Sequence, residues 1–287
     1  MMKNIIVIYH QNCMDGSAAA WVASKKFAKD AEYIAASDRI NLPGYIVNHT
    51  NISEAEIYTL DFCYPRDVML DLEKKCKKLI VLDHHESVKS DIESVENHVY
   101  GVEKSGAMLA WEYFFPYTSA PLAVQYVSDS DTWTHLMPDY KYVDAYIYKA
   151  GDNVDDIKYF DNIVNELEDK TNFENIKSIG KYLHEAHMNV CKNYADKAEL
   201  VNFAGYEVYA VNAAAECRSE TGHMLAEKTG TFGMCYYYIE GKLKVSLRSV
   251  KDFDCSLIAK EYGGGGHKNA ASFFVKRDNP ILSIINK

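Results

Sequence analysis

Apolar and polar positions alternate in two different rhythms along this chain, and the change of rhythm divides it. Near the start, "NIIVIYH" (4–10) is a continuous apolar run of strand length. "DGSAAAWVASKKFAKD" (15–30) is alanine-rich and sets Trp21, Val22 and Phe27 on one face, which predicts a helix. "AEYIAA" (31–36) and "EIYTLDF" (56–62) read as strands. "PRDVMLDLEKKCKKL" (65–79) begins with proline, carries acid early and lysine late, and reads as a helix. "LIVL" (79–82) is again a strand. Strand and helix in alternation predict an α/β fold, a mostly parallel sheet with helices on both faces.

The middle is helical in pattern. Ser105 is placed to cap "GAMLAWEYFF", and "APLAVQYVSDSDTW" (120–133) follows. Residues 140–200 are acidic and rich in tyrosine and lysine, with a long helix near 174–200, and read as a helical connector. From about 202 short strands take over: "YEVYAVNA", "FGMCYYYIEG", "KLKVSLRS" and "NAASFFVK", with Glu240-Gly241 suited to a hairpin turn. The expected organisation is a first domain over 1–139, the connector over 140–200, and a smaller α+β domain over 201–287. No internal repeat or low-complexity segment interrupts it.

A length of 287 residues agrees with two domains. Apolar residues at 48% and charged residues at 25% are ordinary for a soluble protein. Seven scattered cysteines without a CxxC pair suggest neither a disulfide framework nor a thiolate zinc site, and fit a reducing cytoplasm. "MMKNIIVIYH" is too short to span a membrane and lacks a cleavage pattern, so no signal peptide and no membrane partner are expected. Charge is uneven. Residues 1–200 hold 20 Lys and Arg against 32 Asp and Glu, a balance of −12, and residues 201–287 hold 11 against 9, a balance of +2. An acidic body argues against gripping long nucleic acid. It leaves room for a small anion whose charge is met by metal ions.

Ligands of an open parallel sheet bind beyond the carboxyl ends of its strands. The first strand ends at His10, with Cys13 and Asp15 in the loop beyond. The next ends near Asp61, and "LIVL" runs straight into Asp83, His84 and His85. "SDSDTW" adds Asp129 and Asp131 after an apolar segment. A lone acid at a strand end is usually a helix cap, and a lone buried histidine usually a core hydrogen-bonder. Two adjacent imidazoles after an apolar run are costly to bury without partners. Four segments delivering His and Asp to one edge favour a metal site, and imidazole with carboxylate suits Mn²⁺, Zn²⁺ or Fe²⁺ better than Ca²⁺.

These residues resemble a known family. "HQNCMDG" (10–16), "LDF" (60–62), "LDHHES" (82–87) and "SDSDTW" (128–133) look like the motifs of the DHH phosphoesterases, and "EYGGGGHKNAAS" (261–272) looks like the glycine-rich signature of their DHHA1 domain. The resemblance implies a two-metal hydrolase with its site between the domains. Two Mn²⁺ ions are the usual complement, with Zn²⁺, Fe²⁺, Co²⁺ or Mg²⁺ as alternatives. It assigns His10 and Asp61 to the first ion, and Asp15, Asp61, His84 and Asp129 to the second, with Asp61 bridging. His85 would face the substrate phosphate and Asp83 would orient an imidazole. Asp129 is favoured by the family pattern, and Asp131 is the other candidate. Cys13 departs from the aspartate common there. It either ligates the first ion as a softer thiolate or leaves that site weak.

In the second domain, Gly263 to Gly266 precede His267 and Lys268. A Gly run alone is more often a loop. Here the backbone of Gly264, Gly265 and Gly266, with His267, could approach a phosphate closely. The resemblance places a phosphate-binding arginine at Arg248, with Arg218 a weaker candidate. "HEAH" (184–187) lacks the HExxH spacing and reads as surface or packing. Tyr236 to Tyr238 read as packing rather than base-stacking residues. No motif for a Ser or Cys nucleophile is present, so water is the expected attacking group. The expected function is hydrolysis of very short oligonucleotides or linear dinucleotides. The alternatives are a phosphatase for polyphosphate, pyrophosphate or 3′-phosphoadenosine 5′-phosphate, and a catalytically weak nucleotide sensor. A homodimer is left open.

Overall fold

The computed structural model describes residues 2–149, 156–239 and 241–276. The chain forms two units, Met1–Leu183 and His184–Lys287.

The first unit is built on five parallel strands: β1 (Ile5–His10), β2 (Ala31–Ala36), β3 (Glu56–Leu60), β4 (Lys78–Asp83) and β5 (His98–Tyr100). Their order across the sheet is β2-β1-β3-β4-β5. Chain direction across the sheet therefore reverses at β1, and the connections leaving β1 and β3 lie on opposite faces. That opens a crevice at their carboxyl ends. Side chains alternate accordingly. Val7 and Tyr9 enter one apolar cluster, and Ile6 and Ile8 the other. On the second of these faces lie α2 (Gly44–Val47), α3 (Arg66–Lys75) and α4 (Lys89–Ile92), through Ile46, Met69, Leu72 and Ile92.

The other face carries α5 (Gly106–Phe114), α6 (Leu122–Asp131), α7 (Tyr140–Ile147) and α8 (Ile157–Glu168), together with α1 (Met14–Phe27). The structure divides the chain differently from the pattern of the sequence. Val143, Tyr146 and Ile147 of α7 and Phe160, Ile163 and Leu167 of α8 are buried in the first unit's main core. Trp21 Nε1 also donates to Asp161, at 2.9 Å. The expected connector is thus mostly part of the first unit, because its apolar stripes have a sheet-covering helix, α1, to pack against. The long helix α9 (Phe173–Ala195) spans the division. No described helix is long and apolar enough to cross a membrane.

The second unit holds a six-stranded sheet of β6 (Glu199–Phe203), β7 (Tyr206–Asn212), β8 (Phe232–Ile239), β9 (Lys242–Ser249), β10 (Gly265–His267) and β11 (Ala270–Val275). The order is β10-β11-β9-β8-β7-β6, antiparallel except for β7 with β8. Helix α10 (Arg218–Thr229) precedes β8 and α11 (Cys255–Glu261) precedes β10. β8 and β9 form a hairpin in which Ile239 faces Lys242. Glu240 of the expected turn lies outside the described residues. The α+β expectation describes this unit, whose alternating strands bury Met234, Val245, Leu247 and Phe273.

Candidate metal centre and cationic cluster

Five segments of the first unit converge at the carboxyl end of the sheet. β1 delivers His10, the first turn of α1 delivers Asp15, and the residue after β3 is Asp61. β4 ends in Asp83 and continues to His84 and His85, and the last turn of α6 delivers Asp131. Asp61 is buried and has φ of 54°, a left-handed backbone that few residues other than glycine adopt. Its amide donates to Leu82 O at 2.9 Å, the last rung of the β3–β4 ladder, and its positive φ turns the chain out of the sheet there. Gly16 is required by the same geometry: a Cβ there would lie 2.2 Å from His10 O, so α1 could not start so close to β1.

Asp61 is the common member. Its Oδ2 lies 3.2 Å from His10 Nδ1, and its Oδ1 lies 3.4 Å from His84 Nε2 and 3.6 Å from His85 Nδ1. His84 Nε2 is also 3.2 Å from Asp131 Oδ2 and 3.8 Å from Asp15 Oδ2. Asp15 is anchored from behind by the amino end of α5, with Gly106 N donating to Oδ2 at 2.6 Å and Ala107 N to Oδ1 at 2.9 Å. An α-helix amino end favours such a carboxylate. Asp83 is fully buried, and its Oδ1 accepts from His84 N, His85 N and His85 Nδ1, the last at 2.7 Å. It fixes the ring of His85.

The donors form overlapping groups in which all ligand atoms lie within 4.8 Å: His10, Cys13 and Asp61; Asp15, His84 and Asp131; Asp61, Asp83, His84 and His85. A cation about 2.1 Å from each ligand produces edges of about 3.0–3.4 Å, as seen from His84 to Asp131 and Asp61, with Asp15 slightly farther. Asp61 Oδ1 is buried with no hydrogen-bond donor, an expensive condition that a cation relieves. Burial and the neighbouring charges of Asp61 and Asp131 push Asp15 well above the carboxylate range. Burial likewise raises Asp131, outweighing the attraction of His84, and repulsion from Asp61 adds to the rise. Asp61 itself is lowered: burial opposes this, and the hydrogen bond from His10 with the nearby imidazoles of His84 and His85 overcomes it. His84 rises to about 10, burial again opposing, because Asp61, Asp15 and Asp131 surround it. Burial, then Asp61, Asp131 and Asp15, raise the Cys13 thiol well above its ordinary value. Negative charge is thus crowded around donors of the type that binds divalent cations, and the residues fit them.

One assignment is corrected. Asp129 does not join the site; its carboxylate accepts from Thr134 Oγ1 and Leu136 N, both at 2.7 Å, and from Met137 N at 3.1 Å. The segment is helical through Asp131, and residues two apart on a helix point about 200° apart. Only one acid of "SDSD" can therefore face the sheet edge, and it is Asp131. Sequence reasoning misses Ser105 and Gly106 as parts of the site. Ser105 caps α5, its Oγ accepting from Met108 N at 3.3 Å, and so presents the amides that hold Asp15. A Ser-Gly pair opening an apolar helix is the available signal.

In the second unit, β9 carries Lys244 and Arg248. Burial and then the repulsion of Arg218 hold Arg248 below its usual value, and burial with Arg218 and Arg248 does the same for Lys244. These three side chains form one cationic cluster. Arg248 is held by Leu247 O at 3.0 Å and by Ser219 Oγ at 2.9 Å. The register aligns His267 and Arg248 on either side of Ala270, on one face of the sheet. The glycine run is partly strand. Gly264 donates its amide to Ala259 O at 2.8 Å, so it offers no donor to a phosphate, a second correction. A Cβ at Gly264 would lie 2.1 Å from Ser272 O, and one at Gly266 2.4 Å from Ala270 O. Close approach of the chain to itself explains these two glycines without a ligand. Gly265 pairs with Ser272.

The fold and donor set define a two-unit α/β protein with a candidate divalent-metal centre at the switch point of a parallel sheet. Residues 175–285 match the DHHA1 domain. That match covers most of α9 and the second unit, and the fold of the first unit is similar to that of a solved DHH domain. An uncharacterized protein of Acanthamoeba polyphaga mimivirus is 26% identical over 286 residues, covering 93% of this chain; the chain spans 66% of that relative's length. The DHH domain of a member of a ribosomal-protein family matches 99% of this chain and 86% of its own, with TM-score 0.61 and 15% identity. An exopolyphosphatase-related protein of Bacteroides fragilis matches 99% and 90%, with TM-score 0.54 and 16% identity.

Proposed function

We propose that this chain is a two-cation phosphodiesterase acting on very short oligonucleotides or linear dinucleotides. The observation that carries the two-cation reading is Asp61, one buried carboxylate shared by two ligand groups, with one oxygen that no donor meets in hydrogen-bonding geometry. Divalent cations held by His10, Asp15, Asp61, His84 and Asp131, with Cys13 beside the first, would supply an activated water and neutralise charge at phosphorus. The mixed imidazole and carboxylate set suits Mn²⁺.

The chain's own groups do the rest. Asp83 fixes His85 through Nδ1, so that the ring would meet a phosphate oxygen through Nε2. His85 is raised above its ordinary value: burial opposes, and Asp83 and Asp61 prevail. An imidazolium there donates to the phosphate. In the second unit, Arg248 with Arg218 and Lys244 is a compact cationic cluster suited to one further phosphate or a terminal group. His267 and Gly265 with Gly266 are the neighbouring candidates for that role.

Short substrates follow from charge. The −12 balance over residues 1–200 offers no basic track for a long strand. The test is kcat/KM with Mn²⁺ across dinucleotides, RNAs of increasing length, cyclic dinucleotides, polyphosphate and adenosine bisphosphate, for the unmutated protein and Arg248→Ala. Efficiency should fall beyond roughly five nucleotides, and Arg248→Ala should cost on the order of 1–3 kcal/mol on dinucleotides, mainly through KM. Efficiency rising with length, or preference for polyphosphate, refutes the assignment.

A further inference from the structure

The second unit contains another cluster of metal-binding side chains, assembled by its own helices. His187 and Cys191 stand one turn apart on α9. Cys217 immediately precedes α10, and Glu220 lies in its first turn. Cys191 Sγ is 3.3 Å from His187 Nε2, and Glu220 Oε2 is 3.5 Å from the same nitrogen. Donor atoms of His187, Cys191 and Cys217 all lie within 4.8 Å of one another. Cys191 is 0% and Cys217 3% exposed. Glu220 Oε2 is buried with no hydrogen-bond donor in bonding geometry.

We propose that His187, Cys191, Cys217 and Glu220 form a structural Zn²⁺ site, made of residues different from those at the first unit's sheet edge. Tetrahedral zinc with Zn–S of about 2.3 Å and Zn–N of about 2.05 Å has an S···N edge of about 3.6 Å, and an N···O edge of about 3.3 Å. The two measured edges agree within about 0.3 Å. Two thiolates and an imidazole select Zn²⁺ over Mn²⁺ or Mg²⁺, which prefer oxygen. With Glu220, placed beside His187 Nε2, as the fourth donor the coordination sphere would be closed, the arrangement of structural rather than catalytic zinc.

The bond network gives such a clip a purpose. At this point α9 meets α10 through the Thr221 hydroxyl, which donates to Cys191 O at 3.2 Å. Ser219, which holds Arg248, lies between Cys217 and Glu220 in sequence. Zinc would lock the turn that positions this arginine.

The full chain carrying Asp61→Asn and Cys13→Ser, which weaken the first unit's centre, is loaded with Zn²⁺, dialysed against a moderate chelator and assayed for zinc per chain. One equivalent should remain, and its X-ray absorption should show two sulfurs at about 2.3 Å. Co²⁺ in its place should give a thiolate-to-cobalt absorption band. Adding Cys217→Ser should remove both the retained zinc and the band. Glu220→Gln, which keeps the side chain's volume, should weaken Zn²⁺ at least tenfold. Because the absorption measurement needs no change at this cluster, misfolding of the cysteine variant does not blunt the test. No retained zinc, a shell of nitrogen and oxygen only, or a disulfide between Cys191 and Cys217 in the zinc-treated protein overturns the proposal.

Discussion

Gly106→Ala perturbs the metal centre without touching a ligand. An added Cβ would lie 2.5 Å from Asp61 Cβ, 2.9 Å from Asp61 Cα and 3.0 Å from Asp15 Oδ2. Carbon atoms rest at about 3.5–4.0 Å, so about 1 Å of movement is required. The neighbours cannot supply it cheaply. Asp61 is pinned by its amide to Leu82 O and by its left-handed backbone, and Asp15 is hydrogen-bonded to the Gly106 amide itself. Overpacking of this kind costs about 1–3 kcal/mol, more than the gain of at most about 1 kcal/mol from replacing glycine by alanine in a helix. The displacement falls on two ligands, and a 1 Å misplacement at a reacting centre can cost about 100-fold in rate. The expected result is a lower Tm, Mn²⁺ affinity reduced at least tenfold by calorimetry, and kcat/KM reduced about 10- to 100-fold. Gly44→Ala is the control, since its Cβ would meet only Asn48 Nδ2 at 3.8 Å. A Gly106→Ala protein at least as stable as the parent, with unchanged Mn²⁺ affinity, would refute this account of the site.

Asp131→Asn should reduce metal stoichiometry with little loss of stability. Asp129→Ala should do the reverse, costing about 2–3 kcal/mol in denaturant unfolding for three lost hydrogen bonds while keeping the metals; equal metal loss in both would reject the assignment of Asp131. Cys13→Asp should preserve or raise Mn²⁺-dependent activity and Cys13→Ala should weaken the first ion, an expectation that fails if the Cys13→Ala metal titration matches the parent. The metal-free protein should lose stability as pH rises from about 6.5 toward 10. A histidine raised to about 10 stabilises fully below its ordinary value and loses that contribution through its raised one. Mn²⁺ should suppress the loss, since a cation then replaces the imidazolium, and a Tm of the metal-free protein flat across that window would contradict the electrostatic picture.

Period and strand-end chemistry are enough to read the parallel sheet of the first unit, and most of the candidate donors at its edge, from the sequence. A buried strand must be apolar throughout, so an abrupt change to Asp83, His84 and His85 marks the place where the chain leaves the sheet. Local rhythm also reads as helix over 140–168, but not what those helices cover. Burial of Phe160 and Ile163 against α1 is a long-range event, and it moves α7 and α8 from an expected connector into the first core. The choice between Asp129 and Asp131 rests on a helix continuing two residues further, which turns one acid toward His84 and the other toward the amides of its own loop. The glycines at 264 and 266 are legible as glycines, yet their reason is a backbone passing within contact of β11. Cys191 and Cys217 show the limit most clearly. Twenty-six positions apart in sequence, with no CxxC spacing, they carry no pattern, and only the packing of α9 against the start of α10 brings their sulfurs beside His187. Sequence determines what each segment can form and which chemistry it carries. Which carriers meet is decided by tertiary packing, because contact depends on distances that the chain sets only when its helices and sheets close on one another.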